Sequence, residues 1–146
     1  MTRDLSDEVL DHSEDGAWSV RDILAHLLDR RRYQRQRIEL MLTEDRPSFP
    51  DVDEVGSLEE SGYRTRPIDW LLHELERGRA DDVERFEGLD EAELGRGGEH
   101  SLIGAVTVGE MLHHVVHHDL LHVAQAAETL AAIAHLGRGN MTLVDE

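Results

Sequence analysis

Apolar residues recur every three or four positions along three long stretches of the chain, which is the spacing of an amphipathic helix. The pattern predicts helices near 20–42, 67–87 and 107–136. The last of these begins at Thr107, a suitable N-cap residue, and ends before Gly137. Strand patterns are weak throughout, so the sequence predicts an all-α fold with antiparallel helix packing.

Two connections and a short N-terminal element complete the pattern. Residues 44–66 carry prolines, glycines and many acids, with one helical turn predicted around 57–61. A loop of this length in a compact domain usually crosses over an element or covers a site. Residues 88–106 form the second connection, with a turn at 90–94 and a glycine-rich break. Apolar positions also predict one or two helical turns between Ser6 and His12.

The length of 146 residues fits one domain, with 1–17 as a short N-terminal segment and 138–146 as a C-terminal tail. The long connection at 44–66 allows two consecutive helices to point the same way. The predicted architecture is therefore an up-down-down-up four-helix bundle whose first helix is short or missing.

Charge and cysteine content exclude several classes of function. All 15 basic residues are arginine, against 32 acids, giving a formal net charge of −17. Such a surface disfavours nucleic acid or an anionic membrane as a partner, and the lack of lysine excludes Schiff-base chemistry. The chain has no cysteine, which excludes disulfides, thiolate metal sites and a cysteine nucleophile. It shows no signal peptide and no membrane-spanning apolar run, so we expect a cytoplasmic protein.

Histidine is the unusual residue type: five of the 10 histidines lie between positions 113 and 122. They form three pairs four residues apart, and each such pair can chelate one metal ion. On a helical wheel, His118 and His122 lie at the edge of the apolar stripe, whereas His113 and His117 lie on the solvated face. His114 is intermediate. The pair His118/His122 is therefore the best metal-binding candidate, with His114/His118 in reserve.

A third ligand is expected from another helix, because catalytic zinc sites usually have three protein ligands and an open position. His26 lies at the edge of the apolar face of the helix at 20–42 and meets this requirement. Asp119 falls within the apolar stripe of the last helix, where an unpaired carboxylate is costly. We expect it to accept a hydrogen bond from a ligand histidine. Asp119 and the spare His114 are also the candidate general bases.

Several arginines follow His26 on the same helix. Arg30 and Arg37 fall between His26 and the apolar stripe, so they are candidates to bind an anion beside the metal; Arg30, one helical turn from His26, is the stronger. The neighbouring group Arg31, Arg32 and Arg35 is most simply a solvated or ion-paired face. Trp18 and Trp70 fit core anchors better than substrate platforms.

Three segments carry recognisable motifs. The segment Trp18–Leu27 reads W-S-x-x-x-x-x-x-H-L at a helix start, and His118–Gln125 reads H-D-x-x-H-x-x-Q. Between them, His100–Thr107 reads H-x-x-x-G-x-V-T and leads into the last helix. Together the three segments resemble the DinB-like family. The resemblance covers about residues 5–137. Each motif alone is loose, but their order is specific.

The resemblance implies a metal-binding four-helix bundle that is often dimeric. It implies one divalent metal, zinc or nickel, held by His26, His118 and His122. Members with assigned activities include transferases and an isomerase that use low-molecular-weight thiols, mycothiol or bacillithiol. The family's long first helix precedes the segment that begins here at Leu5, so that helix is expected to be short or absent.

Two classes of function remain open. In one, the protein is a metal-dependent enzyme acting on a small molecule, most simply a thiol transferase or a related enzyme such as a hydrolase. In the other, the same three histidines form a non-catalytic metal-binding module with a structural or stress-related role. The fourth coordination position discriminates between them.

Uncovered apolar stripes also predict a homodimer.

Overall fold

In the computed structural model, the described residues are 6–13, 16–136 and 138. The described residues leave out 1–5 and 14–15 of the predicted N-terminal segment and 139–146 of the predicted C-terminal tail. Three long helices dominate, each within two residues of its predicted bounds. The elements in chain order are α1 (Asp7–Leu10), α2 (Val20–Thr43), β1 (Ser48–Phe49), α3 (Glu54–Ser61), a 3-10 turn (Tyr63–Thr65), α4 (Ile68–Phe86), α5 (Glu91–Leu94), β2 (Gly97–His100), β3 (Gly104–Thr107) and α6 (Val108–Leu136).

Reciprocal capping boxes begin the two helices that matter most for function. Before α2, the Ser19 hydroxyl accepts from the Asp22 N–H, and the Asp22 carboxylate accepts from the Ser19 N–H, both at 3.1 Å. Thr107 and Glu110 repeat this exchange at the start of α6, again at 3.1 Å. Local sequence therefore fixes where both helices start.

Helices α2 and α6 run antiparallel. Near the start of α2, Val20 belongs to a buried cluster against which Leu130 packs. Near its end, Met41 shares a cluster with Val108 and Met111 at the start of α6. This arrangement brings the middle of α6 alongside the first turns of α2.

Helices α2 and α4 run parallel. Ile68 at the start of α4 packs with Val20, and Arg85 near its end donates to Glu39 at 2.8 Å. The directions of α2, α4 and α6 are therefore down, down and up. This confirms the predicted order for the three long helices.

A small three-stranded sheet corrects the prediction that the connections are only loops and turns. Strand β1 pairs in parallel with β2, and β2 pairs antiparallel with β3. The strands have two, four and four residues, which is too short to show a periodic pattern. The fold class remains all-α.

The β2–β3 turn explains the H-x-x-x-G-x-V-T segment. The Nδ1 atom of His100 accepts from the Leu102 N–H at 3.1 Å, and Gly104 has a φ of +81°, a conformation that favours glycine. The hairpin then leads directly into the Thr107 cap of α6.

The connection at 44–66 packs along α2. A connection of this length was expected to cross over an element or to cover a site. Within it, α3 is a helix of eight residues, longer than the predicted single turn. The Ser57 hydroxyl lies 2.7 Å from the buried Asp29 carboxylate and 2.8 Å from the Tyr33 hydroxyl. Further upstream, the Pro50 carbonyl accepts from Arg37 Nη2 at 3.0 Å.

One face of α6 is not covered by the described elements. Val116, Leu120 and Val123 are 60%, 65% and 52% exposed. On the helical wheel Val123 falls within the apolar stripe of the last helix, yet its side chain is exposed, so the wheel prediction of a core-facing Val123 is wrong. None of the described helices combines the length and apolar character needed to cross a membrane.

Candidate metal centre

The fold brings together the three predicted ligands, although His26 lies more than 90 residues before the other two in sequence. His26 comes from α2, and His118 and His122 come from α6. One ring nitrogen from each lies within 4.8 Å of the other two. Nε2 of His26 and Nε2 of His118 face each other at 3.3 Å.

The spacing and the donor set fit a metal ion. With metal–nitrogen bonds of about 2.0–2.1 Å, two ligands of a tetrahedral ion lie about 3.3–3.4 Å apart. The observed 3.3 Å between His26 and His118 matches this separation. Neutral imidazole nitrogens suit zinc, nickel and other transition metals better than magnesium or calcium. The three histidines therefore form a group that can hold one divalent metal ion.

Burial keeps two of the rings in the neutral state that metal binding requires. Desolvation, and then the neighbouring His122 and His118, lower the pKa of His26 to about 3. Desolvation and the same kind of histidine neighbours lower the pKa of His118 to about 4. At neutral pH both rings are therefore uncharged, and a neutral imidazole has one nitrogen lone pair to offer a metal.

Gln125 orients the third ring. Nδ1 of His122 donates to Oε1 of Gln125 at 2.8 Å, which leaves the Nε2 lone pair of His122 for a metal. Gln125 is the last residue of the H-D-x-x-H-x-x-Q segment, but sequence reasoning did not assign it a role. Its spacing of three residues from His122 on one helix was the available signal.

Trp18 packs against the centre rather than acting only as a distant core anchor. Its ring lies 4.5 Å from the ring of His26 and 6.1 Å from that of His122, measured between centroids. The residue precedes the Ser19 cap, so the start of α2 fixes both Trp18 and, two turns later, His26.

Asp119 does not orient a ligand histidine, which corrects the sequence prediction. Its two carboxylate oxygens accept from Nε and Nη2 of Arg79 at 2.8 and 2.7 Å. The residue follows His118 directly, so its side chain points about 100° around the helix, towards α4. Because Arg79 occupies both oxygens, Asp119 is also a poor candidate for the general base.

The Arg79 pair belongs to an ion-pair network between α2 and α4. The Asp82 carboxylate accepts from Arg31 at 2.9 Å and from Arg35 and Arg79 at 2.8 Å. Burial alone would raise the pKa of Asp82, but these hydrogen bonds outweigh it and hold the pKa below its usual value. Gly78 makes room for the network, because a Cβ there would lie 2.5 Å from Arg31 Nε. The ion-paired interpretation of this arginine group is confirmed for Arg31 and Arg35, and also for Arg32, whose Nη2 donates to the Asp29 carboxylate at 2.7 Å.

The other candidate histidines lie outside the metal group. His113 and His117 are exposed, as the wheel predicted. The ring of His114 lies 5.7 Å from that of His118, but His114 is not among the three converging residues. His114 is also exposed, and partial desolvation and then the charge of Arg30 lower its pKa below the usual value. His114 thus remains a candidate base beside the centre.

Neither of the two larger clefts in the described part of the chain is lined by the three histidines. A cavity of about 310 Å³ lies between α2, α4 and α6, and a wider cleft of about 930 Å³ surrounds Arg21 and Arg64. His26 is 2% exposed, whereas His118 and His122 are partly exposed. The centre is therefore approached past the two histidines of α6.

Comparison with known proteins agrees with this fold. Residues 1–126 match the DinB superfamily. A candidate metal-dependent hydrolase of Oceanobacillus iheyensis, OB0782, is 28% identical over 122 residues, which are 83% of this chain and 70% of that protein. The solved structure of YfiT from Bacillus subtilis is described as a probable metal-dependent hydrolase with an unusual four-helix bundle topology. It aligns with a TM-score of 0.71 and 25% identity over 87% of this chain and 75% of its own. The chain belongs to the DinB superfamily.

Proposed function

We propose that this protein is a metal-dependent hydrolase of a small molecule, with its active centre at His26, His118 and His122. The observation that carries the proposal is the convergence of three histidine nitrogens within 4.8 Å. The descriptions of OB0782 and YfiT as metal-dependent hydrolases give it further support.

The residues of the centre have separate tasks. When bound, a divalent metal supplies a Lewis acid that polarises an oxygen and lowers the pKa of a water molecule. Gln125 fixes the ring of His122 through the 2.8 Å hydrogen bond, and Trp18 packs against His26 and shields one side of the centre from water. His114 is placed to accept a proton beside His118.

The number of ligands favours an enzyme over a purely structural metal module. The group within the described residues has three members, and no fourth carboxylate or histidine of that part of the chain joins it. Structural zinc sites are almost always closed by four protein ligands, whereas catalytic sites keep one position open. A non-catalytic, stress-related metal module remains the alternative.

Thiol transfer is a second candidate at the same centre. The chain has no cysteine, so a thiol nucleophile would have to come from a small molecule. The H-D-x-x-H-x-x-Q segment resembles the DinB-like family, some members of which use low-molecular-weight thiols, and this favours the activity. It differs from hydrolysis in requiring an added thiol, which makes the two separable by assay.

Metal content is the first test. The purified protein, stripped and reloaded with Zn²⁺, Ni²⁺ or Co²⁺, should bind one ion per chain by elemental analysis. His118→Ala should lose that ion, whereas His113→Ala, an exposed histidine on the same helix, should retain it. Stoichiometric metal in His118→Ala would overturn the assignment.

Activity is the second test. The loaded protein is assayed with carboxylic and phosphoric ester libraries and, separately, with 1-chloro-2,4-dinitrobenzene with and without added thiols. Metal-dependent ester cleavage that His118→Ala abolishes supports hydrolysis. Turnover only with added thiol supports transfer, and a metal-loaded protein inactive in both assays supports the non-catalytic module.

A further inference from the structure

Two arginines of α2 lack the neutralising partners that most described arginines have. Arg30 meets a carboxylate only at Glu54, 3.7 Å from its Nε, and Arg37 forms no ion pair with a described residue. Other described arginines lie 2.6–2.9 Å from a carboxylate oxygen; they are Arg21, Arg31, Arg32, Arg35, Arg46, Arg64, Arg77, Arg79 and Arg85.

This difference does not follow from exposure or from a shortage of acids. Arg37 is 7% exposed and the side chain of Arg30 is 11% exposed, while the chain holds 32 acids. Burying a guanidinium without a close counter-ion costs free energy. Groups kept in such a state are candidates for ligand binding, because the ligand supplies the missing charge.

Unused hydrogen-bonding atoms lie in the same row. Nη1 of Arg30 is buried and has no partner among the described residues, and the same holds for both amide atoms of Gln34, which is 2% exposed. Residues four apart on a helix are neighbours, so His26, Arg30 and Gln34 form one row along α2, and Arg37 follows one turn later. Arg37 has one hydrogen bond, from Nη2 to the Pro50 carbonyl.

The row starts at the metal centre. Side chains on a helix lean towards its N-terminus, so Arg30 and Gln34 lean towards His26. One helical turn, about 6 Å along the axis, separates Arg30 from His26.

We propose that Arg30, Gln34 and Arg37 form an anion subsite, and that the substrate carries a carboxylate there. Two guanidinium groups and a free amide match the oxygens of a carboxylate, to which arginine can donate in a bidentate manner. The inference rests on the proposed metal-dependent function and narrows its substrate class to small organic acids. The subsite begins one helical turn along α2 from His26.

A matched pair of metal-directed probes tests the subsite. N-hydroxysuccinamic acid and N-hydroxysuccinamide share a hydroxamate that binds metals, and they differ only in a terminal carboxylate or amide. Their affinities for the Co²⁺-loaded protein are measured from the visible absorption of the cobalt ion. We expect the acid to bind at least tenfold more tightly, even though the net charge of −17 opposes an anion.

Two arginine variants provide the control. Arg30→Gln should reduce the preference for the acid to threefold or less and leave the affinity for the amide unchanged. Arg77→Gln removes the same charge from an exposed residue on α4 and should keep the full preference. Equal affinities of the two probes for the wild-type protein, or an unchanged preference in Arg30→Gln, would overturn the proposal.

A metal-free experiment separates this proposal from the proposed function. In ¹⁵N-labelled metal-free protein, the Nε–Hε signal of Arg30 should shift on titration with succinate but not with succinamide. The signal of Arg77 should not shift with either. If cobalt does not bind, the metal function fails while this titration still decides the subsite; no shift at Arg30 rejects it.

Discussion

His122 donates its Nδ1–H to Oε1 of Gln125 over 2.8 Å, within a single turn of α6. The hydrogen bond fixes both the tautomer and the orientation of the ring. Gln125 thus orients His122, a role that was predicted from the sequence for Asp119. Asp119 instead accepts hydrogen bonds from Arg79.

The first prediction concerns this hydrogen bond. Gln125→Leu should weaken metal binding about 10- to 100-fold, because partners of ligand histidines typically contribute that much to affinity. Gln125→Glu should retain most of the affinity, since a carboxylate oxygen also accepts from Nδ1. Competition with a chromophoric chelator measures both. Equal affinities of wild type and Gln125→Leu would show that the hydrogen bond does not serve the metal.

The second prediction uses Trp18 as a reporter. Its ring lies 4.5 Å from that of His26, so a paramagnetic ion such as Ni²⁺ or Co²⁺ at the centre should quench its fluorescence. Trp18→Phe should lose most of the quenching, while the remaining Trp70 provides the control signal. A titration that reaches its end point at one ion per chain is expected. Quenching that persists in Trp18→Phe would place the ion elsewhere.

The third prediction concerns Asp82 and acid stability. Its pKa is lowered in the folded protein, so the ionised form stabilises the fold above the unfolded pKa, and this stabilisation is lost as the pH falls below about 4. At pH 7, Asp82→Asn should lower the free energy of unfolding by about 3 kcal/mol, because three arginines lose their shared partner.

Chemical denaturation at several pH values measures this effect. The stability difference between wild type and Asp82→Asn should shrink as the pH falls from 5 to 3. Asp81→Asn, an exposed neighbour, should change stability little at any of these values. A difference that does not vary with pH would contradict the assignment.

The fourth prediction concerns Gln34 in the absence of ligand. Both amide atoms are buried without a partner among the described residues, and such unsatisfied groups cost about 1–3 kcal/mol. Gln34→Met keeps the length of the side chain and removes the polar atoms. We expect the free energy of unfolding to rise by about 1 kcal/mol, or about 3–4 °C in Tm. The exposed Gln36→Met is the control, and a loss of stability in Gln34→Met would show that the amide is satisfied.

The fifth prediction concerns association. Val116, Leu120 and Val123 are four and three residues apart on α6 and form an exposed apolar face. Val116 also lines the cavity of about 310 Å³ between α2, α4 and α6, which extends this face. We predict a homodimer through it, with twice the mass of one chain by light scattering. Leu120→Glu should give a monomer, and a wild-type monomer at all concentrations would contradict the prediction.

The sequence alone determined the helices and the three candidate ligands. Periodic apolar positions, the Ser19 and Thr107 caps and the glycine after α6 are local signals, and a helix needs only local signals to be defined. His118 and His122 are four residues apart, so their shared face also followed from helical geometry. His26 was predicted because a third ligand was expected at the edge of the apolar face of another helix, where it can meet His118 and His122.

Only the tertiary structure decided which partners the side chains found. The sequence placed Asp119 within an apolar stripe, but the position of Arg79 on α4 determined that a guanidinium, not a histidine, satisfies its charge. Whether the Gln34 amide and Nη1 of Arg30 find hydrogen-bond partners likewise depends on which residues pack against this face of α2. Hydrophobic periodicity gives the direction in which a side chain points, whereas the group that it meets depends on the relative positions of distant helices.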